Sequence, residues 1–221
     1  MGIRKNYVQK IHQSSKRDPI QRMMDDKATC MQIARKYDFD YWDGKRRYGY
    51  GGYKYIPNYW VPVAKKIIND YNLSNDSKIL DVGCGKGYLL YEIKQLIPNI
   101  IISGFDSSEY ALSNAKEEIK PYIFNHRAED KTKYKDDEFD LVFSLATLHN
   151  LHLKELVSSL KEITRIGKKS YVMVESYRNE QELFNLQCWA LTCNAFYNDD
   201  DWKYIFEISK FSGDYEFIYF E

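Results

Sequence analysis

Three closely spaced glycines and a more distant acid are the residues of this sequence with the clearest chemical potential. Residues 79–87 read ILDVGCGKG, and Asp106 ends a second apolar run over residues 101–105. Glycines permit positive φ in a strand-to-helix turn and let a ligand approach the backbone. A helix beginning near Gly87 directs unpaired N–H groups at that turn, which favours an anionic group. A carboxylate ending the neighbouring strand can accept from ribose hydroxyls, so the pattern predicts a nucleoside-cofactor site.

The glycine spacing distinguishes between two classes of nucleoside cofactor. A dinucleotide site favours G-x-G-x-x-G, in which a pyrophosphate lies against the backbone. Here the third glycine, Gly87, comes one residue early, and Tyr88 occupies the dinucleotide position. The spacing therefore argues against a dinucleotide cofactor.

Residues 81–87, DVGCGKG, resemble the first motif of the class I S-adenosylmethionine-dependent methyltransferases, and the resemblance covers roughly residues 59–221. It implies S-adenosylmethionine as the cofactor, with its methionine part in the glycine turn and its ribose held by Asp106. It also includes the apolar strand 139–145, whose end faces the methyl group in the family, and an adenine-capping loop at residues 126–130. The family often has an acid before the alanine of that loop, whereas this chain has Arg127, so Glu129 or Asp130 is the candidate replacement. The cofactor-binding residues implied in this way are Asp81, Gly83, Cys84, Gly85, Gly87, Asp106, Ser107, Ala128, Glu129 and Ser144.

Apolar runs and helical patterns alternate downstream of residue 72, which predicts parallel strands joined by crossover helices. We predict an α/β fold with a doubly wound, mostly parallel seven-stranded sheet, whose last strand is antiparallel as is typical of the family. Residues 1–58 are predicted to form an N-terminal helical and aromatic lid segment, and residues 59–221 the cofactor-binding domain. In the lid segment we expect a frayed start over residues 1–17 and a helix from a cap at Asp18 to about Tyr37. The predicted strands are 78–83, 101–106, 121–126, 139–145, 169–175, 188–196 and 215–220, and the main helices are 87–97, 108–120, 153–166 and 200–210.

Two histidines follow the fourth predicted strand. Residues 146–152 read ATLHNLH and lie at the carboxyl end of the sheet, where open α/β folds bind ligands. Methyl transfer is an in-line displacement, and a hydroxyl acceptor benefits from a base that titrates near neutral pH. His149 is therefore the predicted catalytic base, although the position also suits a histidine that packs against or caps the next helix.

Residues 41–55, YWDGKRRYGYGGYKY, are too aromatic for a flexible linker, and their glycines prevent a continuous helix. One interpretation is a lid with tyrosines near the sulfonium cation and basic residues that bind an anionic acceptor. The alternative is a loop that only covers the core edge, and Arg178 either binds substrate or caps the following helix. The segment loosely resembles methyltransferases associated with bacterial surface-saccharide genes. The predicted substrate-binding residues are Arg46, Arg47, Tyr48, Tyr50, Tyr53 and Arg178.

Composition restricts the possible partners. The 221 residues include 32 Lys and Arg against 32 Asp and Glu, so the charge excess of a dedicated nucleic-acid binder is missing. No apolar run is long enough to span a bilayer, and the first residues lack the apolar core of a signal peptide. The four cysteines form no C-x-x-C pair, which predicts reduced thiols in a cytoplasmic protein without a metal site.

We therefore predict an enzyme that methylates an oxygen or nitrogen of a small anionic molecule, such as a surface-saccharide precursor, without a metal. An alternative is an RNA methyltransferase whose aromatic segment stacks on unpaired bases. A second alternative is a module that binds S-adenosylmethionine without catalysis, because fold does not settle activity.

Overall fold

A computed structural model describes residues 2–221. Within that range the sheet has six strands, all parallel, in the order β3-β2-β1-β4-β5-β6. The strand order reverses between β1 and β4, and ligands of open α/β sheets bind beyond the carboxyl ends at such a point. The strands are β1 (Lys78–Val82), β2 (Ile101–Asp106), β3 (Ile123–Asn125), β4 (Leu141–Leu145), β5 (Ser170–Glu175) and β6 (Asp214–Ile218).

Helices precede the sheet and cover both of its faces. The N-terminal helices are α1 (Gln9–Gln13), α2 (Pro19–Met24), α3 (Lys27–Ala34) and α4 (Phe39–Trp42). The later helices are α5 (Val61–Tyr71), α6 (Tyr88–Leu96), α7 (Glu109–Ser113), α8 (Leu153–Ile166), α9 (Glu180–Trp189) and α10 (Asp199–Ile208). Short 3-10 turns lie at Arg46–Tyr48, Lys120–Tyr122 and Leu148–Asn150. None of the helices formed by residues 2–221 combines the length and hydrophobicity that crossing a bilayer requires.

Alternation along the central strands divides the core between the two faces of the sheet. Leu80 and Val142 pack on one face with Leu160 of α8 and Trp202 of α10. Ile79, the neighbour of Leu80, packs on the other face among residues of α5 and α6. The predicted doubly wound α/β fold is confirmed.

The predicted seven-stranded sheet with an antiparallel last strand is wrong. Residues 188–196, predicted as a strand, form the end of α9 and an irregular segment, and β6 pairs with β5 in parallel. A helical crossover through α9 and α10 returns the chain to the same end of the sheet, so the next strand runs in the same direction. The outer edge of β6 is covered by the N-terminal residues, because Lys5 N–H donates to the Tyr215 carbonyl oxygen at 2.7 Å.

The predicted N-terminal elements also need correction. Residues 2–17 are not frayed: Gly2 N–H donates to the Gly213 carbonyl oxygen just before β6, Lys5 N–H donates to Tyr215 of β6, and α1 follows. Asp18 does cap a helix, accepting from Gln21 N–H at 2.9 Å, but this helix ends at Met24. Asp26, in the left-handed conformation, separates α2 from α3. Periodicity alone did not reveal this break, because apolar residues continue on both sides of it.

The helix predicted over residues 108–120 is shorter than expected. Its cap, Ser108, accepts from Ala111 N–H, but the helix stops at Ser113. The Tyr110 carbonyl oxygen accepts from both the Asn114 backbone N–H, at 3.1 Å, and the Asn114 side-chain amide, at 2.8 Å, so Asn114 closes the helix at its C-terminal end. In contrast, the helix predicted over residues 153–166 is confirmed as α8.

Candidate active site

The glycine turn joins β1 to α6 at the carboxyl edge of the sheet. Gly83, Gly85 and Gly87 have φ of 79°, 54° and 67°, in the region that disfavours residues with a Cβ. The N–H groups of Gly83 and Cys84 both donate to the Phe105 carbonyl oxygen, at 2.8 and 3.0 Å. These bonds hold the turn against the end of β2.

Asp106 lies directly beside this turn. Its carboxylate accepts from Gly85 N–H and from Ser108 N–H, each at 2.8 Å. Burial raises the pKa of Asp106, while the backbone hydrogen bonds from Ser108 and Gly85 oppose that rise. The side chain is therefore held rigidly at the position where the sequence predicts a ribose contact.

Asp81, near the end of β1, has a buried carboxylate that is only 5% exposed. Among residues 2–221 no side chain or backbone N–H donates a hydrogen bond to it, and burial together with the Asp106 charge raises its pKa well above the usual range. The ionised form of a buried acid without a hydrogen-bond donor is stabilised most by a ligand that supplies a positive charge or hydrogen-bond donors. An ammonium group and ribose hydroxyls beside a glycine turn satisfy both acids, so the residues present fit S-adenosylmethionine.

The other predicted cofactor-binding residues have more varied surroundings. The Ser144 side chain is fully buried, and its hydroxyl donates to the Val82 carbonyl oxygen at 2.8 Å, joining β4 to β1. Cys84 lies under the turn, and burial raises the pKa of its thiol well above the usual range. Ser107 is exposed just beyond β2, and Ala128 packs at the core edge. Glu129 pairs with Arg127, so its charge is already compensated within the loop, whereas Asp130 forms no ion pair among residues 2–221.

The aromatic segment over residues 41–55, called the aromatic lid below, folds over the glycine turn. A Cβ on Gly85 would come within 2.9 Å of the Trp42 ring, so the indole rests on the bare backbone of the turn. Trp42 Nε1 donates to the Ser108 hydroxyl at 2.9 Å, and its ring stacks on Tyr50 at 5.4 Å between centroids. Trp42 thus connects the lid to both the turn and the Asp106 loop.

A buried ion pair fastens the lid to the glycine turn. Lys86 lies within the turn, is 4% exposed, and donates to both carboxylate oxygens of Asp43 at 2.9 and 2.7 Å. It also donates to the Tyr53 carbonyl oxygen at 2.8 Å. Burial disfavours the charge on Asp43, but hydrogen bonds from Lys86 and Tyr110 outweigh it and lower its pKa. The sequence analysis did not identify Trp42, Asp43 or Lys86 as site residues, although a lysine between the motif glycines was a signal for an acidic partner.

His149 and Glu175 meet at the carboxyl ends of β4 and β5. His149 is 4% exposed, its Nδ1 accepts from Glu175 N–H at 3.3 Å, and its Nε2 lies 3.6 Å from Glu175 Oε2. Burial lowers the pKa of His149, although the Glu175 charge opposes that effect. Glu175 Oε2 is buried and has no hydrogen-bond partner among residues 2–221. The pair therefore presents an unsatisfied carboxylate oxygen and a neutral imidazole whose two nitrogens both face Glu175.

The predicted substrate-binding residues are not brought together at one place. Arg47 forms an ion pair with Asp25 at 2.8 Å, and Arg178 pairs with Glu182 and Glu221, so these charges are already compensated. Tyr48 packs against a small cluster around Cys30 in α3. The ring centroids of Tyr50 and Tyr53 lie 4.7 Å apart in the lid. Arg46 donates to the Tyr50 carbonyl oxygen at 2.8 Å.

Comparison with known proteins adds an independent observation. Residues 73–210, more than half of the chain, match the family model described as a methyltransferase domain. The chain is 30% identical over 112 residues to an uncharacterized methyltransferase of Schizosaccharomyces pombe, covering 50% of this chain and 40% of the relative. It is 30% identical over 114 residues to the demethylmenaquinone methyltransferase of Chlorobaculum parvum, covering 51% and 46%. The chain thus spans less than half the length of these two curated relatives.

Solved structures with the same fold include the YcgJ protein of Bacillus subtilis. The TM-score is 0.54 at 15% sequence identity, and the match covers 66% of each chain. At this identity the likeness concerns the fold alone.

Proposed function

Because the chain belongs to the class I S-adenosylmethionine-dependent methyltransferases, with S-adenosylmethionine as cofactor, we propose that it methylates an oxygen or nitrogen of a small anionic molecule. A surface-saccharide precursor is an acceptor of this kind. The position of Asp106 supports the cofactor part of this proposal, because its carboxylate is held beside the glycine turn by Gly85 N–H at 2.8 Å. When bound, the cofactor supplies an electrophilic methyl group on a sulfonium sulfur.

Two acids of this chain bind the cofactor, and aromatic residues cover the site. Asp106 accepts hydrogen bonds from ribose hydroxyls, and the unpartnered Asp81 carboxylate compensates an ammonium group. Trp42 of the aromatic lid covers Gly85, with Tyr50 stacked on its indole, and this cover excludes water from the turn. Exclusion of water strengthens each of these electrostatic contacts, since the local dielectric constant falls.

Glu175 is the best-placed group to receive the acceptor proton. Its Oε2 is buried without a hydrogen-bond partner, and the His149 imidazole lies 3.6 Å away. Because His149 Nδ1 accepts from Glu175 N–H, the ring proton belongs on Nε2, facing that carboxylate. This geometry favours the Glu175–His149 pair over His149 alone, with His149 orienting the carboxylate and Glu175 holding the proton.

Isothermal titration with S-adenosylhomocysteine is the first test. We expect saturable binding that S-adenosylmethionine competes away, followed by transfer of a labelled methyl group to members of a panel of phosphorylated and carboxylated sugars. No heat and no competition would contradict the proposal at the cofactor. Binding without transfer to any acceptor would favour the non-catalytic module, and transfer to RNA would favour the RNA enzyme.

Glu175→Gln tests the base with an isosteric side chain. We expect kcat to fall by about 10²- to 10⁴-fold, the usual contribution of a general base, with unchanged affinity for S-adenosylhomocysteine. Glu180→Gln, in the exposed first turn of α9, is the matched control. Full activity of Glu175→Gln would show that Glu175 is not the general base.

A further inference from the structure

Three arginines surround one tryptophan near the N-terminal helices. The guanidinium carbons of Arg22, Arg46 and Arg17 lie 4.5, 5.5 and 5.7 Å from the centre of the Trp189 ring. Arg17 and Arg22 come from the start of the chain, Arg46 from the aromatic lid, and Trp189 from the end of α9. The packing of α2 against α9 brings these distant segments together. We call these three arginines the arginine cluster.

The arginine cluster has no acidic partner. Among residues 2–221 no carboxylate forms an ion pair with Arg17, Arg22 or Arg46, whereas Arg47 and Arg178 each pair with an acid. The Nε atoms of Arg17 and Arg22 are buried and have no hydrogen-bond acceptor in the same range. Buried, unsatisfied guanidinium donors are costly, and an anionic ligand would relieve that cost.

The electrostatics of the free protein agree with an anion site. Burial lowers the pKa of Arg22 to about 10, and the Arg46 charge adds to the effect. Burial also lowers the pKa of Arg17, where Glu175 opposes the shift and Arg46 reinforces it. Nearby Lys27 follows the same trend, since burial and the Arg22 charge lower its pKa to about 8. Like charges are thus held close together at a cost to stability, as is common where a protein prepares a binding site.

Backbone and histidine acceptors hold the guanidinium groups in place. Arg17 donates to the His12 carbonyl oxygen at 2.7 Å and to His12 Nδ1 at 3.1 Å, while His12 Nε2 bonds the Tyr219 carbonyl oxygen. Arg22 donates to the Arg46 carbonyl oxygen at 3.1 Å. The charged groups are therefore oriented by neutral acceptors that leave their positive charge uncompensated.

The arginine cluster adjoins the proposed site. Arg46 donates to the Tyr50 carbonyl oxygen, Tyr50 stacks on Trp42, and Trp42 rests on Gly85. On the other side of the cluster, the Glu175 carboxylate opposes the burial-induced fall in the pKa of Arg17, so the two charges interact. A molecule bound at the cluster could therefore extend along the lid toward Glu175 and the glycine turn.

We propose that Arg17, Arg22 and Arg46 bind a phosphate or diphosphate group of the methyl acceptor. This inference rests on the proposed function and specifies its substrate class. A phosphoryl group carries more than one negative charge and several acceptor oxygens, which match convergent guanidinium forks better than a single carboxylate does. The partial burial of Arg17 and Arg22 favours a small molecule over an extended nucleic-acid backbone.

Direct binding of inorganic pyrophosphate tests the proposal without an identified acceptor. We expect saturable binding by calorimetry at constant ionic strength, and a dissociation constant at least about tenfold higher in Arg22→Gln, since a charge-assisted contact is lost. Arg22→Lys should bind pyrophosphate with an affinity between those of the wild type and Arg22→Gln, because lysine keeps the charge but lacks the several N–H donors of the guanidinium group. Lys203→Gln, which removes an exposed charge from α10, should bind as the wild type does.

Stability and cofactor binding separate the possible outcomes. Because Arg22→Gln removes repulsion within the cluster, its Tm without ligand should equal or exceed that of the wild type. Equal pyrophosphate binding by wild type and Arg22→Gln, or no binding to either, would overturn the cluster proposal while leaving S-adenosylhomocysteine binding intact. Tighter, strongly salt-dependent binding of a short single-stranded RNA, lost in Arg22→Gln, would overturn it in favour of nucleic acid. If the wild-type protein does not bind S-adenosylhomocysteine, that result would instead count against the proposed function.

Discussion

Asp81 and Asp106 differ in how their charges are accommodated. Asp106 is held by two backbone N–H groups, whereas Asp81 has no hydrogen-bond donor among residues 2–221. Burial raises the pKa of both acids, and each sits at the carboxyl edge of the sheet. A ligand that donates to one and places a cation near the other would stabilise both ionised forms.

Asp106→Asn should weaken cofactor binding. The amide keeps the size of the side chain but loses the charge, and one of its ends becomes a donor that faces Gly85 N–H or Ser108 N–H. We expect the dissociation constant for S-adenosylhomocysteine to rise by more than about tenfold, as for loss of charged hydrogen bonds. Asp201→Asn, exposed in α10, is the control, and equal affinity in the two variants would remove the ribose role.

His12 makes the stability of the protein sensitive to mild acid. Burial and the Arg17 charge lower its pKa from 6.5 to about 4, so the folded state keeps it neutral while the unfolded chain binds a proton. The stability it contributes is fully present above pH 6.5 and is lost as the pH falls toward 4, at most about 3 kcal/mol. His12→Gln can keep both side-chain hydrogen bonds without titrating.

Urea unfolding measured from pH 7 to pH 4.5 checks this expectation. The free energy of unfolding should fall less steeply in His12→Gln than in the wild type. Parallel pH profiles would show that another group causes the acid sensitivity.

At the scale of elements, the aromatic lid is attached to the glycine turn by specific contacts. Trp42 lies on the bare backbone of Gly85, and Lys86 reaches out of the turn to Asp43. Both contacts depend on residues of the glycine motif, so the lid and the cofactor turn form one unit.

Asp43→Asn should loosen the lid while the sheet remains folded. The substitution leaves Lys86 buried without a charged partner, at a cost of about 1–3 kcal/mol. We expect faster cleavage by trypsin within residues 45–54 and faster amide exchange there. Asp76→Asn, at an exposed acid before β1, provides the comparison. Identical cleavage rates in the two variants would show that the Lys86–Asp43 pair does not hold the lid in place.

At the scale of the whole molecule, one buried acid ties the start of the chain to its last strand. Glu216 of β6 is 1% exposed and accepts from the N–H groups of Tyr7, Val8 and Gln9 at 2.7 to 3.1 Å. The Tyr171 hydroxyl also donates to it at 2.7 Å. This carboxylate satisfies the N–H groups of Val8 and Gln9, which begin α1 and have no helical acceptor, and that of Tyr7 just before them.

Glu216→Gln should destabilise the entire fold. The amide replaces two acceptors with one, leaves buried N–H groups unsatisfied, and should lower the free energy of unfolding by about 2–4 kcal/mol. Urea denaturation measures the change, with a substitution of the exposed Glu207 of α10, Glu207→Gln, as control. A change below about 0.5 kcal/mol, typical of surface sites, would mean that the N-terminal residues contribute little to stability.

The elements that the sequence predicted well depend on local chemistry. Apolar runs located β1, β2, β4 and β5 to within two residues, and the three motif glycines located the turn with positive φ. The place of Asp106 also followed, because neighbouring parallel strands end at the same edge of the sheet. The cap at Asp18 was local as well, although the helix it begins proved short.

What only the tertiary structure decided involves residues far apart in the chain. The parallel direction of β6 depends on the crossover through α9 and α10 and on the covering of its edge by residues 2–5. The arginine cluster depends on packing that carries Arg17 and Arg22 to Trp189, and the Lys86–Asp43 pair spans the lid and the turn. Backbone preferences and hydrophobic period act over a few residues, whereas charge pairing and burial depend on which surfaces meet. The sequence alone therefore determined the cofactor turn, and the fold determined what surrounds it.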